Sequence, residues 1–161
     1  MAEIETKLQK LGLALPEPLK TPPGLKLPFK PVIVRGKHVY ISGHAPQNPD
    51  GSIAGPLGKL GKELTVEQGY HAAKLVALSM LGDLKRVLGD LDRVAAWLRV
   101  LGMVNVAPGF NQTTAVINGF SELILELYGP ERGAHTRSAV GMAALPLDIS
   151  VEIEAEVELS S

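Results

Sequence analysis

The sequence has 161 residues, the size of one ordinary domain, and 45% of them are hydrophobic, which is enough for a real core. Sixteen basic residues against seventeen acidic ones leave a formal charge of −1, so no long-range field favours nucleic acid or an anionic membrane. The absence of cysteine excludes disulfides, thiolate nucleophiles and thiolate metal sites. Because no apolar run approaches the length of a membrane span, we expect a cytoplasmic protein.

The chain begins with two segments of different character. Apolar residues recur at helical spacing from Ile4 to Leu11, which predicts a short amphipathic helix over residues 3–12. The following stretch, LPEPLKTPPGLKLP, contains five prolines, which interrupt helices and remove the donors of sheet hydrogen bonds. It is predicted to be an extended, irregular connector.

Residues 31–43 read PVIVRGKHVYISG, which are two alternating, β-branched runs separated by Arg35, Gly36 and Lys37. This pattern predicts a β-hairpin. The next twenty residues, 44–63, are rich in Gly, Pro, Asn and Asp and are predicted to form a long surface loop.

Thr65 and Gln68 have the spacing of a capping box, and the apolar stripe that follows them ends at Gly89, so a long helix is predicted here. Residues 94–107 have few charges on either face and predict a strand. A second long helix is expected to be capped by Asn111 and to end at Gly129 and Pro130.

Two further strands, TRSAVGMAAL and SVEIEAEVEL, follow and are joined by residues 145–148. The order is therefore two strands, helix, strand, helix, two strands. The simplest solution is an α+β fold in which a mixed β-sheet carries two long helices on one face.

The last strand alternates between apolar residues and four glutamates, which must share one face: Glu152, Glu154, Glu156 and Glu158. A tight turn of even length before this strand would put Arg137 on the same face. That face is either solvated and held by weak salt bridges, or buried against copies of the chain as an anion clamp with an acid or base beside it. The residues alone leave both readings open.

Other polar candidates are Ser42, Gly43 and His44, which end a strand whose N–H groups could hold a carboxylate, and Asn118, which points either at a cleft or at water. The remaining histidines lack metal-ligand spacing and are interpreted as surface or cap residues: His38, His71 and His135. No nucleophile elbow, Walker loop or dinucleotide fingerprint is present.

The stretch TRSAVGMAALPLDISVEIEAEVE resembles the C-terminal signature of the Rid family, the reactive intermediate deaminases, also labelled YjgF-like or endoribonuclease L-PSP proteins. VYISGHAPQNPDG resembles the strand and loop of that family, and AVINGF resembles its helix motif around an asparagine. The similarity covers about residues 29–158. We therefore divide the chain into an N-terminal helix and Pro-rich extension, 1–28, typical of the longer YjgF-like subgroup, and a Rid domain, 29–161.

The resemblance implies a chorismate-mutase-like protomer that forms a homotrimer with clefts between neighbouring subunits. It also implies an enzyme similar to 2-iminobutanoate/2-iminopropanoate deaminases. Such an enzyme hydrolyses the enamines and imines released by pyridoxal-phosphate enzymes such as threonine dehydratase to 2-oxo acids and ammonia. The implied partners are a small carboxylate substrate and other copies of the chain, with no cofactor and no metal.

The resemblance also implies roles for individual residues. Arg137 stands where the family's arginine grips the substrate carboxylate bidentately, and Glu152 matches the glutamate that positions and helps activate water. Gly43 would offer backbone contacts with Ser42 beside it, and Asn118 matches the cleft asparagine.

Two positions depart from the family pattern. Phe29 stands where tyrosine is frequent, and Ala139 stands where cysteine is frequent, so the pocket is expected to be more apolar than usual. A tight turn after residue 145 would place Arg137 opposite Glu156 instead of Glu152; we assign the water-activating role to Glu152 and keep Glu156 as a structural partner.

Three other functions compete with deamination. A trimeric protein could bind small carboxylates through Arg137 without turnover. A ribonuclease, suggested by the family's other label, is disfavoured by the balanced charge and by the lack of basic segments interleaved with aromatic residues. A chorismate mutase is weaker still, because its dianionic substrate needs more cations than Arg137 alone and a shared fold does not establish shared chemistry.

Overall fold

The computed structural model describes residues 3–161, and its elements follow the predicted order. The helices are α1 (Glu3–Lys10), α2 (Val66–Leu88) and α3 (Thr113–Arg132). The strands are β1 (Val32–Arg35), β2 (His38–His44), β3 (Val94–Asn105), β4 (Thr136–Met142) and β5 (Val151–Leu159). Buried residues of all three helices and of strands β1, β2, β3 and β5 form one core, so the predicted α+β class is confirmed.

Helix α2 begins and ends where the sequence predicts. The Thr65 hydroxyl accepts a hydrogen bond from the Gln68 backbone N–H at 3.2 Å, and the Gln68 side chain accepts one from the Thr65 N–H at 2.9 Å. Gly89 closes the helix in the left-handed region, with φ of 78°. These local signals fix a 23-residue helix against the sheet.

Helix α3 begins differently from the prediction. Gln112, not Asn111, occupies the cap position, and no side chain caps the first turn. Gly129, with φ of 80°, interrupts the helix as expected, but one more turn follows it and ends at Arg132. The predicted cap is wrong because the helix starts after Gln112, where the Thr113 hydroxyl donates to the Ala139 carbonyl at 3.1 Å and ties the start of the helix to β4.

The sheet has the order β1-β2-β5-β3-β4, and only β3 and β4 run parallel. The mixed sheet and the β1–β2 hairpin are therefore confirmed. The tight turn that would pair β4 with β5 does not form, because β3 lies between them and pairs with both. The segment 146–148 is a short turn, as its composition suggests, but it belongs to a connection that passes the end of β3.

The alternation of β5 is as predicted, whereas the position of Arg137 is not. The apolar residues of β5 are buried on the helix side, and the glutamates lie on the opposite face. Arg137 pairs in register with the fully buried Val100, so its side chain leaves β4 on the helix side. The arginine and the glutamates therefore occupy opposite faces of the sheet.

Helix α1 covers one edge of the core. Its Ile4 and Leu8 are buried within the same cluster as α2 and α3, and the Asp92 carboxylate caps it by accepting the N–H groups of Glu3 and Ile4 at 2.6 and 3.1 Å. Over residues 3–161, no helix is both long and apolar enough to cross a bilayer.

Candidate active site

The Arg137 guanidinium is held in place by neutral oxygen atoms. Its Nη1 donates to Asn118 Oδ1 and Ser121 Oγ, both at 3.0 Å, and its Nη2 donates to the Thr114 carbonyl at 3.4 Å. Within residues 3–161 no carboxylate forms an ion pair with it, and partial burial lowers the pKa of Arg137. The arrangement presents an oriented cation whose charge is not neutralised by the chain, as an anion site requires.

His135 supports this arginine through Ser121. Its Nδ1 lies 2.7 Å from the Gly133 carbonyl and therefore carries the proton, while Nε2, at 2.9 Å, accepts the Ser121 hydroxyl hydrogen. Burial lowers the pKa of His135, and the nearby Arg137 charge acts in the same direction, so the ring is neutral at pH 7. The bond from half-buried His135 to Gly133, the C-cap of α3, agrees with its interpretation as a cap residue, whereas no spacing in the sequence signals its contact with Ser121.

Ser42 and Gly43 form a β-bulge, because β2 sets these two residues against the single residue Glu154 of β5. The bulge reverses the alternation of the strand, so that the next residue, His44, pairs with Ile153 and turns toward the helices. Bulges of this kind commonly re-aim side chains beside functional sites.

Glu152 occupies the space that Gly43 leaves open. A Cβ atom on Gly43 would lie 2.9 Å from the Glu152 Cδ, too close for any real contact. The half-buried carboxylate makes no hydrogen bond or ion pair with the described residues. Burial raises the pKa of Glu152, Glu154 adds to the shift and His44 partly offsets it, which makes the carboxylate a stronger proton acceptor.

Next to Glu152, the candidate His44 forms a polar pair with Asp83, a residue that was not predicted. His44 Nε2 is 3.0 Å from Asp83 Oδ2 on α2, and its Nδ1 is 2.6 Å from the Ser42 carbonyl. Asp83 also accepts a hydrogen bond from Arg86 at 2.7 Å. Burial raises the pKa of Asp83, but the hydrogen bonds from His44 and Arg86 outweigh this effect, so that the pKa is lowered. The available signal was an aspartate inside the apolar run of α2, since a charge buried there needs a partner.

Four predicted site residues meet in one cleft of about 580 Å³: Phe29, Ser42, Gly43 and Glu152. The opposite wall is formed by residues 18–29, which we call the strap. The Ser42 hydroxyl donates to the Lys30 carbonyl at 2.8 Å, so it fastens the end of the strap to β2. The structure thus joins the strap to the Glu152 side of the site.

The other predicted site residues, Arg137, Asn118 and Ala139, meet elsewhere. Ala139 follows Arg137 on the helix side of β4, beside α3. Because Arg137 and Glu152 lie on either side of β3 and three positions apart along it, their Cα atoms are separated by about 14 Å. Within one protomer the predicted site residues therefore form two separate groups, which we call half-sites.

Among residues 3–161, one group of carboxylates could hold a cation. Oxygens of Glu5, Asp90 and Asp92 lie within 4.8 Å of one another. Lys85 binds Glu5, and Asp92 already caps α1, so these groups have structural partners. The cluster belongs to the α1 edge, and neither half-site contains any of its members.

The comparisons with known proteins agree with this architecture. Residues 5–157 match the family described as “YjgF/chorismate_mutase-like, putative endoribonuclease”. Protein TCP17 of Trypanosoma cruzi is 37% identical over 158 residues, covering 98% of this chain and 95% of that protein.

Solved structures give the same result. The protein Atu1372 of Agrobacterium tumefaciens, whose function is unknown, is 36% identical with a TM-score of 0.86, covering 99% of this chain and 93% of that one. Escherichia coli TdcF with bound serine shares the fold, at 21% identity and a TM-score of 0.59, covering 89% and 99% of the two chains. The chain belongs to the YjgF/chorismate-mutase-like family, which includes the L-PSP and Rid proteins.

Proposed function

We propose that the protein hydrolyses 2-imino acids and their enamine tautomers to 2-oxo acids and ammonia, in clefts between the subunits of a cytoplasmic homotrimer. The observation that carries the proposal is the Arg137 guanidinium, which neutral acceptors orient and no carboxylate of the described chain neutralises. Serine, the molecule bound to TdcF, is a small carboxylate of the kind that such a cation would hold.

Two half-sites in one chain support a site shared between neighbours. Arg137 and Asn118 supply the anion-binding half, and Glu152 with Gly43 supplies the half that handles water. A neighbouring copy that brings its Arg137 to the Glu152 cleft would complete the constellation.

The reaction needs only binding and proton transfer from the protein. Arg137 fixes the substrate carboxylate with two parallel hydrogen bonds, which holds C2 in place. Glu152 accepts a proton from water as the water oxygen bonds to C2 and the C=N π bond breaks, and it passes that proton to nitrogen. The carbinolamine hydroxyl then gives its proton to Glu152 while the C–N bond breaks, and the departing nitrogen takes this proton as ammonia.

The test follows ammonia release from freshly generated 2-iminobutanoate, with and without the protein. We expect clear acceleration over buffer. Arg137→Ala should lower kcat/KM by about 100-fold or more, because two charge-assisted hydrogen bonds contribute roughly 3 kcal/mol. Arg137→Lys should recover little of this loss, since an ammonium group cannot bind a carboxylate bidentately.

Circular dichroism and the oligomeric state serve as controls, and both should match the wild type in each variant. Wild-type turnover by a folded Arg137→Ala variant would refute the assignment. Binding of 2-oxo acids without acceleration of imine hydrolysis would favour the non-catalytic carboxylate-binding alternative.

A further inference from the structure

The cleft beside Glu152 has an extensive apolar wall. Six hydrophobic side chains line it from the strap and from the connection before β5: Leu19, Leu25, Leu27, Phe29, Leu147 and Ile149. Several are strongly exposed, with Leu25 at 52%, Phe29 at 55% and Leu147 at 63%. A contiguous apolar surface of this kind on a folded protein calls for a ligand or partner.

The strap is fastened to the rest of the chain at both ends. The Lys20 N–H donates to the Gly51 carbonyl at 3.0 Å at the first end. At the second end, Ser42 donates its N–H to Pro31 at 2.9 Å and its hydroxyl to Lys30 at 2.8 Å. Between these anchors the apolar side chains face the cleft without collapsing onto the core.

Leu147 is held at the cleft against the preference of its backbone. It has φ of 57°, Asp148 has φ of 55°, and such left-handed conformations cost non-glycine residues about 1 kcal/mol each. The Asp148 carbonyl is fixed by the Gly58 N–H at 2.8 Å. Because Leu147 is mostly exposed, burial does not compensate this strain, which points to a functional reason.

The charged groups around the cleft are already paired, except at Glu152. Lys20 binds Asp50 at 2.8 Å, and Asp83 binds His44 at 3.0 Å. The cleft therefore offers apolar surface that ends at one available carboxylate. It suits a hydrocarbon group attached to a reacting carbon, while the substrate carboxylate needs a cation from elsewhere.

We propose that this cleft receives a branched or aromatic hydrocarbon side chain of the 2-imino acid, so that bulky apolar imines are the preferred substrates. The inference rests on the proposed function, in which C2 reacts beside Glu152. In one chain the cleft measures about 580 Å³, which is in the range typical of pockets for whole small molecules.

The experiment compares two imines generated from alanine and leucine in the same assay. Each methylene buried in an apolar pocket raises kcat/KM severalfold. The value for the leucine-derived imine should therefore exceed that for the alanine-derived imine by about 10-fold or more. The double variant Leu25→Ser, Leu27→Ser should bring this ratio close to one. A wild-type preference for the smaller imine, or a ratio that the double variant leaves unchanged, would overturn the inference.

The matched control is Leu11→Ser. Leu11 has an exposure of 41%, close to the 43% of Leu27, but it lies at the end of α1 and outside the cleft. Its substitution should leave both rates unchanged. A change in the ratio in this control as large as in the double variant would count against a role for the cleft.

A binding measurement separates this inference from the proposed function. Calorimetry should give tighter binding of 4-methyl-2-oxopentanoate than of pyruvate to the wild type, and the double variant should lose the difference. If no imine is hydrolysed while this preference persists, deamination is refuted and the cleft assignment stands. If imines are hydrolysed without any effect of side-chain size, deamination stands and the cleft assignment is refuted.

Discussion

The surroundings of Arg137 and Glu152 act differently on these two charged groups. Arg137 is solvated on one side and bonded to Asn118 and Ser121 on the other, so it stays charged and oriented. Glu152 is half-buried beside another carboxylate, which raises its pKa. In the proposed function the pair divides anion binding and proton transfer between two half-sites.

The raised pKa of Glu152 predicts the acid limb of the reaction. The reactive form is the carboxylate, so kcat/KM should fall as pH drops through an apparent pKa above the ordinary 4.5. Glu152→Gln should lower the rate by about 100-fold or more and remove that limb, as measured by pH–rate profiles of both proteins.

Deprotonation of Glu152 favours the proposed reaction but disfavours the folded state. A pKa raised in the folded state means that Glu152 favours folding only when protonated, a contribution lost as pH rises through the folded-state pKa. Glu152→Gln should thus be no less stable than the wild type at pH 7. A fall in Tm there would show that the carboxylate has a structural role instead.

At the scale of elements, the strap is positioned by the close approach of Gly51 to Pro18. Gly51 has φ of 86°, and a Cβ atom there would lie 2.2 Å from the Pro18 carbonyl. The loop and the strap can therefore meet only with glycine at this position.

Gly51→Ala should release the first end of the strap. We expect the backbone amides of Glu17 and Lys20, which donate to residues 49 and 51, to exchange hydrogen about 10-fold faster or more. Gly12→Ala is the control, because Gly12 also has a positive φ but has open space around it. Equal exchange rates in the two variants would mean that the strap does not depend on this contact.

The elements themselves were predicted with unequal success, for physical reasons. Helix α2 starts at the capping box of Thr65 and Gln68 and ends at Gly89. These contacts join residues close in the chain, so the sequence alone places both ends. Asn111 is not the cap, because α3 starts after Gln112, where Thr113 donates to β4 in a contact that depends on how the helix packs. Local hydrogen bonds can be read from spacing, whereas those set by packing cannot.

At the scale of the whole molecule, the two half-sites predict that inactive variants can rescue each other. Arg137→Ala and Glu152→Gln proteins, unfolded and refolded together, would form mixed trimers. Random assembly leaves about a quarter of the sites with Arg137 from one subunit and Glu152 from its neighbour. We therefore expect roughly a quarter of the wild-type activity from the mixture.

Each variant refolded alone is the control, and each should stay inactive. A mixture that remains as inactive as its components, although mass measurements show mixed trimers, would place the whole site within one chain. An active monomer would contradict the shared site directly.

The sequence by itself determined the composition and alternation of β5, the caps of α2 and the family to which the chain belongs, because these depend on short spacings and contiguous motifs. Tertiary structure decided where the charged groups point. Inserting β3 between β4 and β5 moved Arg137 to the helix side, and the bulge at Ser42 and Gly43 turned His44 toward Asp83. Strand neighbours and register are set by packing between distant segments, so no local pattern could specify them.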